Sequence, residues 1–166
     1  MNIHRWDEDV LMDEIFASVP AVDGSFKSAM AFFGCRSHVI HVEEMTRSKR
    51  LLQCLQNLIT KHGAPRRIMA DHAGCHESFS VPSYLWMLWI RLWFSEAYYH
   101  HQNLFERKWQ TFKRLVNRAM DGTNTPPQLW FLCMTCLCFT LNRTSDATLR
   151  GKQPIHVDQQ ETFPLC

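Results

Sequence analysis

HGAPRRIMADHAG, residues His62–Gly74, is the stretch that decides the fold. Gly63 is a helix stop and Pro65 stands just beyond it, so the apolar periodicity before them ends here. Arg67–Ala70 (RIMA) then reads as a short strand, with Asp71 at its C-terminal end. A strand reached from an earlier strand through a helix crossover runs parallel to it. That feature separates a mixed sheet from a plain antiparallel meander.

Upstream of this stretch, from Glu43 to His62, the period is helical. Leu51, Leu52, Leu55, Leu58 and Ile59 supply the apolar face, and Glu43 or Thr46 supplies the start. Further back, Val10–Phe16 (VLMDEIF) reads as a strand. Asp13 stands in its middle, where an acid is costly unless the site uses it. Val22-Asp23-Gly24-Ser25 is a hairpin turn. Lys27–Phe33 and His38–Val42 are two further strands, joined through Gly34–Ser37. Three antiparallel strands therefore precede the crossover.

Downstream, His72–Ser80 is a polar loop, and Ser80-Val81-Pro82 opens a second helix. Ile90–Phe94 reads as a last short strand, and Ser95–Leu104 as a loop. The loop runs into a helix within Tyr98–Arg118 (YYHHQNLFERKWQTFKRLVNR). Phe105, Trp109, Phe112 and Val116 fall at i, i+4, i+7 and i+11 and form one apolar stripe. The same helix holds Arg107, Lys108, Lys113, Arg114 and Arg118 but one acid, Glu106. Taken alone, that acid is an ordinary helix N-terminal carboxylate. Asp121–Pro127 breaks the chain, and Pro126 or Pro127 begins an apolar helix that ends near Asn142. After Arg143 the chain reads as irregular.

These elements predict an α/β domain over 10–157, with an N-terminal extension over 1–9 and an irregular tail over 158–166. The sheet is mixed and five-stranded, covered by helices, with its first four strands in the order 3-2-1-4. In that order the first and fourth strands are neighbours, so Asp13 and Asp71 face each other at the sheet centre. The Glu106 helix can bring a third acid over the same spot.

Composition bounds the rest. A chain of 166 residues, 46% hydrophobic and 20% charged, can bury one full core. The net charge of +2 gives no general polyanion binder. The cations are clustered, however: Arg47, Lys49, Arg50, Lys61, Arg66 and Arg67 stand close in sequence, besides the five in the Glu106 helix. Seven cysteines, an odd number and mostly in apolar runs, point to reduced thiols in an intracellular protein. The polar, acidic N-terminus is no secretory signal, and Leu129–Leu141 falls short of the ~20 residues that span a bilayer. Secretion and a membrane partner are therefore not expected.

Other constellations have plainer readings. Cys133 and Cys136 share a helix side while Cys138 points away among Phe, Leu and Met, which makes a buried apolar helix. His72, Cys75 and His76 lack a fourth zinc ligand. The tryptophans are packing residues, and His100 and His101 are exposed loop residues.

Five segments in one order resemble the catalytic core of retroviral-type integrases, most closely those of copia-type retrotransposons. They are LMDEIFASVPAVDGSF (Leu11–Phe26), FFGCRSH (Phe32–His38), HGAPRRIMADHAG, EAYYHHQNLFERKWQTFKR (Glu96–Arg114) and PPQLWFLCMTCLCFTLNRTS (Pro126–Ser145). The resemblance implies a ribonuclease H-like fold and an Asp, Asp, Glu active site. The family's second Asp falls on Asp71 in ADHAG, and its Glu on Glu106 in QNLFER, 34 residues intervening. Its first Asp falls on Asp13, which is mid-strand, with Asp23 in the hairpin turn as the alternative.

The implied activity is DNA integration by metal-dependent strand transfer, a polynucleotidyl transferase or endonuclease reaction. Two Mg²⁺ (or Mn²⁺) would be held by Asp13, Asp71 and Glu106 when DNA is bound. Gln102, Asn103, Lys108 and Lys113 would contact the DNA. The implied partners are element ends and target DNA, with possible homo-oligomers, and the implied site of action is the nucleus. The chain departs from the family pattern at His72, where Asn is usual, and at His100, His101, Leu104 and Phe105. The family's upstream zinc module is also not among these residues. The alternative reading is a relic or domesticated nucleic-acid-binding protein with the same fold and no turnover.

Overall fold

A computed structural model describes residues 3–22, 24, 26–45, 51–70, 80–94 and 100–160, excluding the side chains of 100–106 and 160. Five strands, β1 (Arg5–Phe16), β2 (Ser28–Gly34), β3 (Ile40–Met45), β4 (Ala64–Ala70) and β5 (Arg91–Phe94), form one sheet in the order β3-β2-β1-β4-β5. β1 pairs antiparallel with β2 and parallel with β4, and β4 pairs parallel with β5. This is the mixed sheet that the crossover stretch predicts. Among the described residues five helices accompany it: α1 (Leu51–His62), α2 (Ser80–Met87), α3 (His100–Gly122), α4 (Trp130–Arg143) and α5 (Pro154–Gln160).

Each sheet face has its own core, because strand side chains alternate. Trp6, Val10 and Met12 of β1 join Met30 and Phe32 of β2 beneath α1 and α2. Ile15 of β1 and Ala29, Ala31 and Phe33 of β2 lie on the opposite face. There they meet Trp109, Phe112 and Val116 of α3 and Trp130, Met134 and Cys138 of α4. Helix α1 buries Leu51, Cys54, Leu55, Leu58 and Ile59, a clean helical stripe. Its stop is enforced at Gly63, whose φ is +97°. A Cβ there would stand 2.9 Å from the His4 carbonyl oxygen, so glycine is required on both counts.

Several boundaries differ from the sequence reading. β1 begins at Arg5, inside the stretch read as an extension, and Trp6 and Glu8 are fully buried. Charged residues mask this end of the strand, since Arg5, Asp7 and Asp9 alternate with the inward pair. β3 runs Ile40–Met45 and so contains Glu43, which therefore does not start α1. Thr46 lies outside the described residues. Helix α3 begins at His100, so Gln102 and Asn103 belong to its first turn, not to a loop; His100 and His101 are likewise helical. The chain after Arg143 also carries order. A short 3-10 turn spans Ala147–Leu149, and α5 follows behind Pro154 at its first position. Asp158 of α5 is buried and meets His62 Nδ1 at 2.9 Å.

Glu8 shows how the sheet tolerates an inward acid. Its Oε1 accepts from the backbone N–H groups of Arg36 (2.5 Å) and Ser37 (2.6 Å), in the turn between β2 and β3. A Cβ on Gly34 would stand 2.7 Å from the same oxygen, so the turn is built around this carboxylate. Glu8→Ala would leave the buried Ser37 amide and the part-buried Arg36 amide unpaired and is expected to cost about 2–4 kcal/mol. Glu8→Gln keeps the acceptor and should retain most of the stability. Urea unfolding of both variants checks this ordering.

Candidate functional site

β1 lies where the sheet topology switches. The chain leaves it on one side for β2 and β3 and returns on the other for β4 and β5. In open α/β sheets, ligands collect outside the carboxyl ends of strands at such a point. Met12 of β1 pairs with Ala70, the last residue of β4, so both strands deliver their carboxyl ends to the same place. Asp13 follows Met12 directly, is half-buried, and pairs across β2 with Ala31. Leu11 and Ile15, two residues to either side, pack in the core beneath α3 and α4. Asp13 therefore stands on the α3 face.

The other two expected acids are only partly placed. Asp71, which follows Ala70 in the sequence, lies outside the described residues. Glu106 is on α3, three positions before the buried Trp109, but its side chain lies outside the described residues, as do those of Gln102 and Asn103. Asp23 is also outside them. Its neighbour Val22 donates from its backbone to the Gln128 carbonyl at 3.0 Å, just before α4. The stretch HAGCH is likewise outside.

The two expected lysines lie at different clefts. Lys113 is exposed, with its ammonium 5.2 Å from the centre of the Trp109 ring. It borders a cleft with Ile15, Asn117 and Trp130, at the end of the sheet where β1 finishes. Lys108 is half-buried and turned the other way, 5.0 Å over the Phe33 ring. Burial lowers its pKa.

Polar clusters elsewhere are internally neutralised. Asp9 binds Arg66 (3.0 Å) and Arg67, which hold its carboxyl below the usual range against the opposing effect of burial. Burial also raises Glu43, but bonds from His41 (2.7 Å), Asn57 (3.0 Å) and Lys61 (3.0 Å) outweigh it and hold the carboxyl at about 2. Asp9 reaches partners 57 and 58 residues away, whereas Glu43 joins its strand neighbour His41 to Asn57 and Lys61 of α1. On α4, Cys138 is buried, its thiol pushed up to about 12 by burial, whereas Cys136 is exposed. No group of three or more His, Cys, Asp or Glu arranged for a metal occurs among the described residues. None of their helices is long and apolar enough to cross a membrane.

No protein-family model matches the chain, and no curated protein sequence matches it. Solved structures do. A chain of the simian T-cell lymphotropic virus intasome, in complex with the PP2A regulatory subunit B56 gamma, superposes with a TM-score of 0.75 at 16% identity, covering 98% of this chain. This chain spans 56% of the length of that one. The catalytic core domain of BIV integrase gives 0.71 at 13% identity, covering 93% of this chain and 95% of that domain. The HTLV-2 integrase catalytic core, in complex with magnesium in a trimeric form, gives 0.69 at 17%, covering 92% and 96%. The fold is thus the ribonuclease H-like fold of integrase catalytic cores, a mixed five-stranded sheet flanked by helices.

The Glu43 network sets a pH dependence of stability. Its folded carboxyl, at about 2, lies below its ordinary value of 4.5, so its contribution is complete above pH 4.5. It is lost as pH falls from there toward 2. Urea midpoints should drop across that window, and Glu43→Gln should flatten the dependence by about 1–2 kcal/mol.

Proposed function

We propose that this chain is an integrase-type catalytic core, from a copia-type retrotransposon, that binds DNA and joins DNA strands. The observation carrying the reading is Asp13. It stands on the α3 face beside the carboxyl end of β4, at the switch point of a fold shared with integrase cores. The place of Asp13 within β1, at the switch point, supports it as the first acid.

In this reading Asp13, Asp71 and Glu106 hold two Mg²⁺ (or Mn²⁺). Carboxylate oxygens suit a hard divalent cation, and magnesium is bound in the HTLV-2 core. The ions, when bound, would activate a water or a DNA 3′-hydroxyl and stabilise the leaving oxygen. The protein's part is placement. Trp109, Phe112 and Val116 are buried against the sheet, which holds α3 over Asp13. Lys113 presents an exposed ammonium for a DNA phosphate, with Gln102 and Asn103 on the same helix. Self-association belongs to the proposal, since Leu132 and Phe139 leave an exposed apolar stripe on α4. Action in the nucleus of the host cell follows from the same activity.

One observation favours the second reading, a relic or domesticated DNA-binding protein without turnover. Lys108 is half-buried over Phe33 instead of fully facing solvent, which makes it a poorer phosphate contact than Lys113. An assay of strand transfer or disintegration on branched DNA with Mg²⁺ or Mn²⁺ separates the two. Joining by the intact chain, reduced roughly 100-fold or more by Asp13→Asn, Asp71→Asn or Glu106→Gln, supports the integrase reading. Full metal-dependent activity in Asp71→Asn would sink the assignment. Salt-dependent DNA binding without joining would favour the relic.

A further inference from the structure

Away from Asp13, a second cleft of about 410 Å³ opens between α3, the turn joining β2 to β3, and the chain that follows α4. Its size falls in the range of small-molecule sites, roughly 300–1,000 Å³. The floor is apolar and formed by Phe33, Ile40, Phe112 and Leu141. Its far wall is fastened. Asn142 accepts from the Ile40 N–H at 2.9 Å and donates to the Ile40 carbonyl at 2.8 Å. His38 Nδ1 meets Asp146 Oδ2 at 2.8 Å across the mouth. The cleft is therefore held open by the fold.

Its charges are unbalanced. Lys108 enters from α3 and Arg107 stands at the rim, and neither is in an ion pair among the described residues. Burial penalises the Lys108 ammonium; the Phe33 ring supplies a cation–π contact at 5.0 Å, and Asp146 attracts it without an ion-pair contact. Asp146 is the one lining acid, and its oxygens are already engaged. Oδ2 meets His38, while Oδ1 accepts from the Thr148 N–H at 2.8 Å and the Thr148 hydroxyl at 2.6 Å. An apolar floor beneath a partly desolvated cation, with no ion pair among the described residues, complements one kind of ligand: an apolar body carrying a single negative charge.

We propose that this cleft binds a small amphipathic monocarboxylate, with an aromatic or branched aliphatic body on Phe33, Phe112 and Leu141 and its carboxylate paired to Lys108. A DNA strand does not fit this chemistry, because a sugar-phosphate backbone would desolvate polar groups over an apolar floor. The site needs no metal, so it stands or falls independently of the Asp13 chemistry.

The test is an NMR titration of the full chain with 2-naphthoate, beside 2-naphthamide as its uncharged counterpart. Saturable shifts in residues lining the cleft are expected, with a Kd of about 1 mM or tighter for a ligand of this size. The amide should bind roughly 10-fold more weakly, and Lys108→Met should weaken naphthoate binding by a similar factor. Ala147→Phe, which intrudes at the mouth without touching the buried core, should block both ligands while leaving the circular dichroism spectrum unchanged. Equal affinity for acid and amide, undiminished binding by Lys108→Met, shifts clustered elsewhere, or no saturation would each overturn the proposal.

Discussion

The parallel pairing of β4 against β1 is the constraint on which the rest depends. β1 is bonded along both edges, antiparallel to β2 and parallel to β4. A one-residue slip in either pairing would turn Asp13 to the α1 face and Met12 toward α3. The register with β4 is pinned by more than ladder bonds. Asp9 of β1 holds Arg66 and Arg67 of β4, near a local irregularity between Trp6 and Asp9. On the other edge, Glu8 grips the turn between β2 and β3. Two adjacent acids, facing opposite ways, thus fix the central strand to both neighbours.

Above that strand, α3 reconciles two demands. Its polar surface is rich in cations, which repel one another, and its sequence alone gives a marginal helix. Trp109, Phe112 and Val116 offset this, each worth about 1.5–3 kcal/mol when buried. They share one buried cluster with the short side chains of Ala29 and Ala31 in β2. Once docked, the helix divides its lysines between two clefts, with Lys113 at the finishing end of β1 and Lys108 by the turn between β2 and β3. The helix is therefore shared by two clefts, with an exposed lysine at one and a partly desolvated lysine at the other.

What was legible in the sequence follows from which signals are local. Gly63, Pro65 and the leucine periodicity of α1 mark the crossover, and the crossover fixes the sheet order. The stripe of Trp109, Phe112 and Val116 is periodic and docks as its spacing implies. Asp13 could be placed because strand alternation carries its face. The illegible parts depend on distant partners. Arg5–Asp9 looks like a polar extension until β4 supplies Arg66 and Arg67. Glu43 looks like a helix start until Asn57 and Lys61 come round from α1. Helix α5 is short and polar, and its anchor His62 lies 96 residues from Asp158. The direction of Lys108 is not periodic information at all, because either border of the stripe can bend toward or away from the sheet.

The acids of β1 show why position matters more than residue type here. Asp9 and Asp13 share one face of the strand, four residues apart, or roughly 13 Å at strand rise. At that distance, opposite unit charges attract by only about 0.3 kcal/mol in water. It also exceeds the Debye length of about 8–10 Å at ordinary ionic strength. The arginine pair that neutralises Asp9 consequently leaves the field at Asp13 almost untouched. Asp9 is committed to register, Glu8 to a turn, and Asp13 stands beyond the reach of both, at the end where β4 also finishes. A central strand can thus commit some carboxylates to its own assembly and leave another, at its carboxyl end, outside that task.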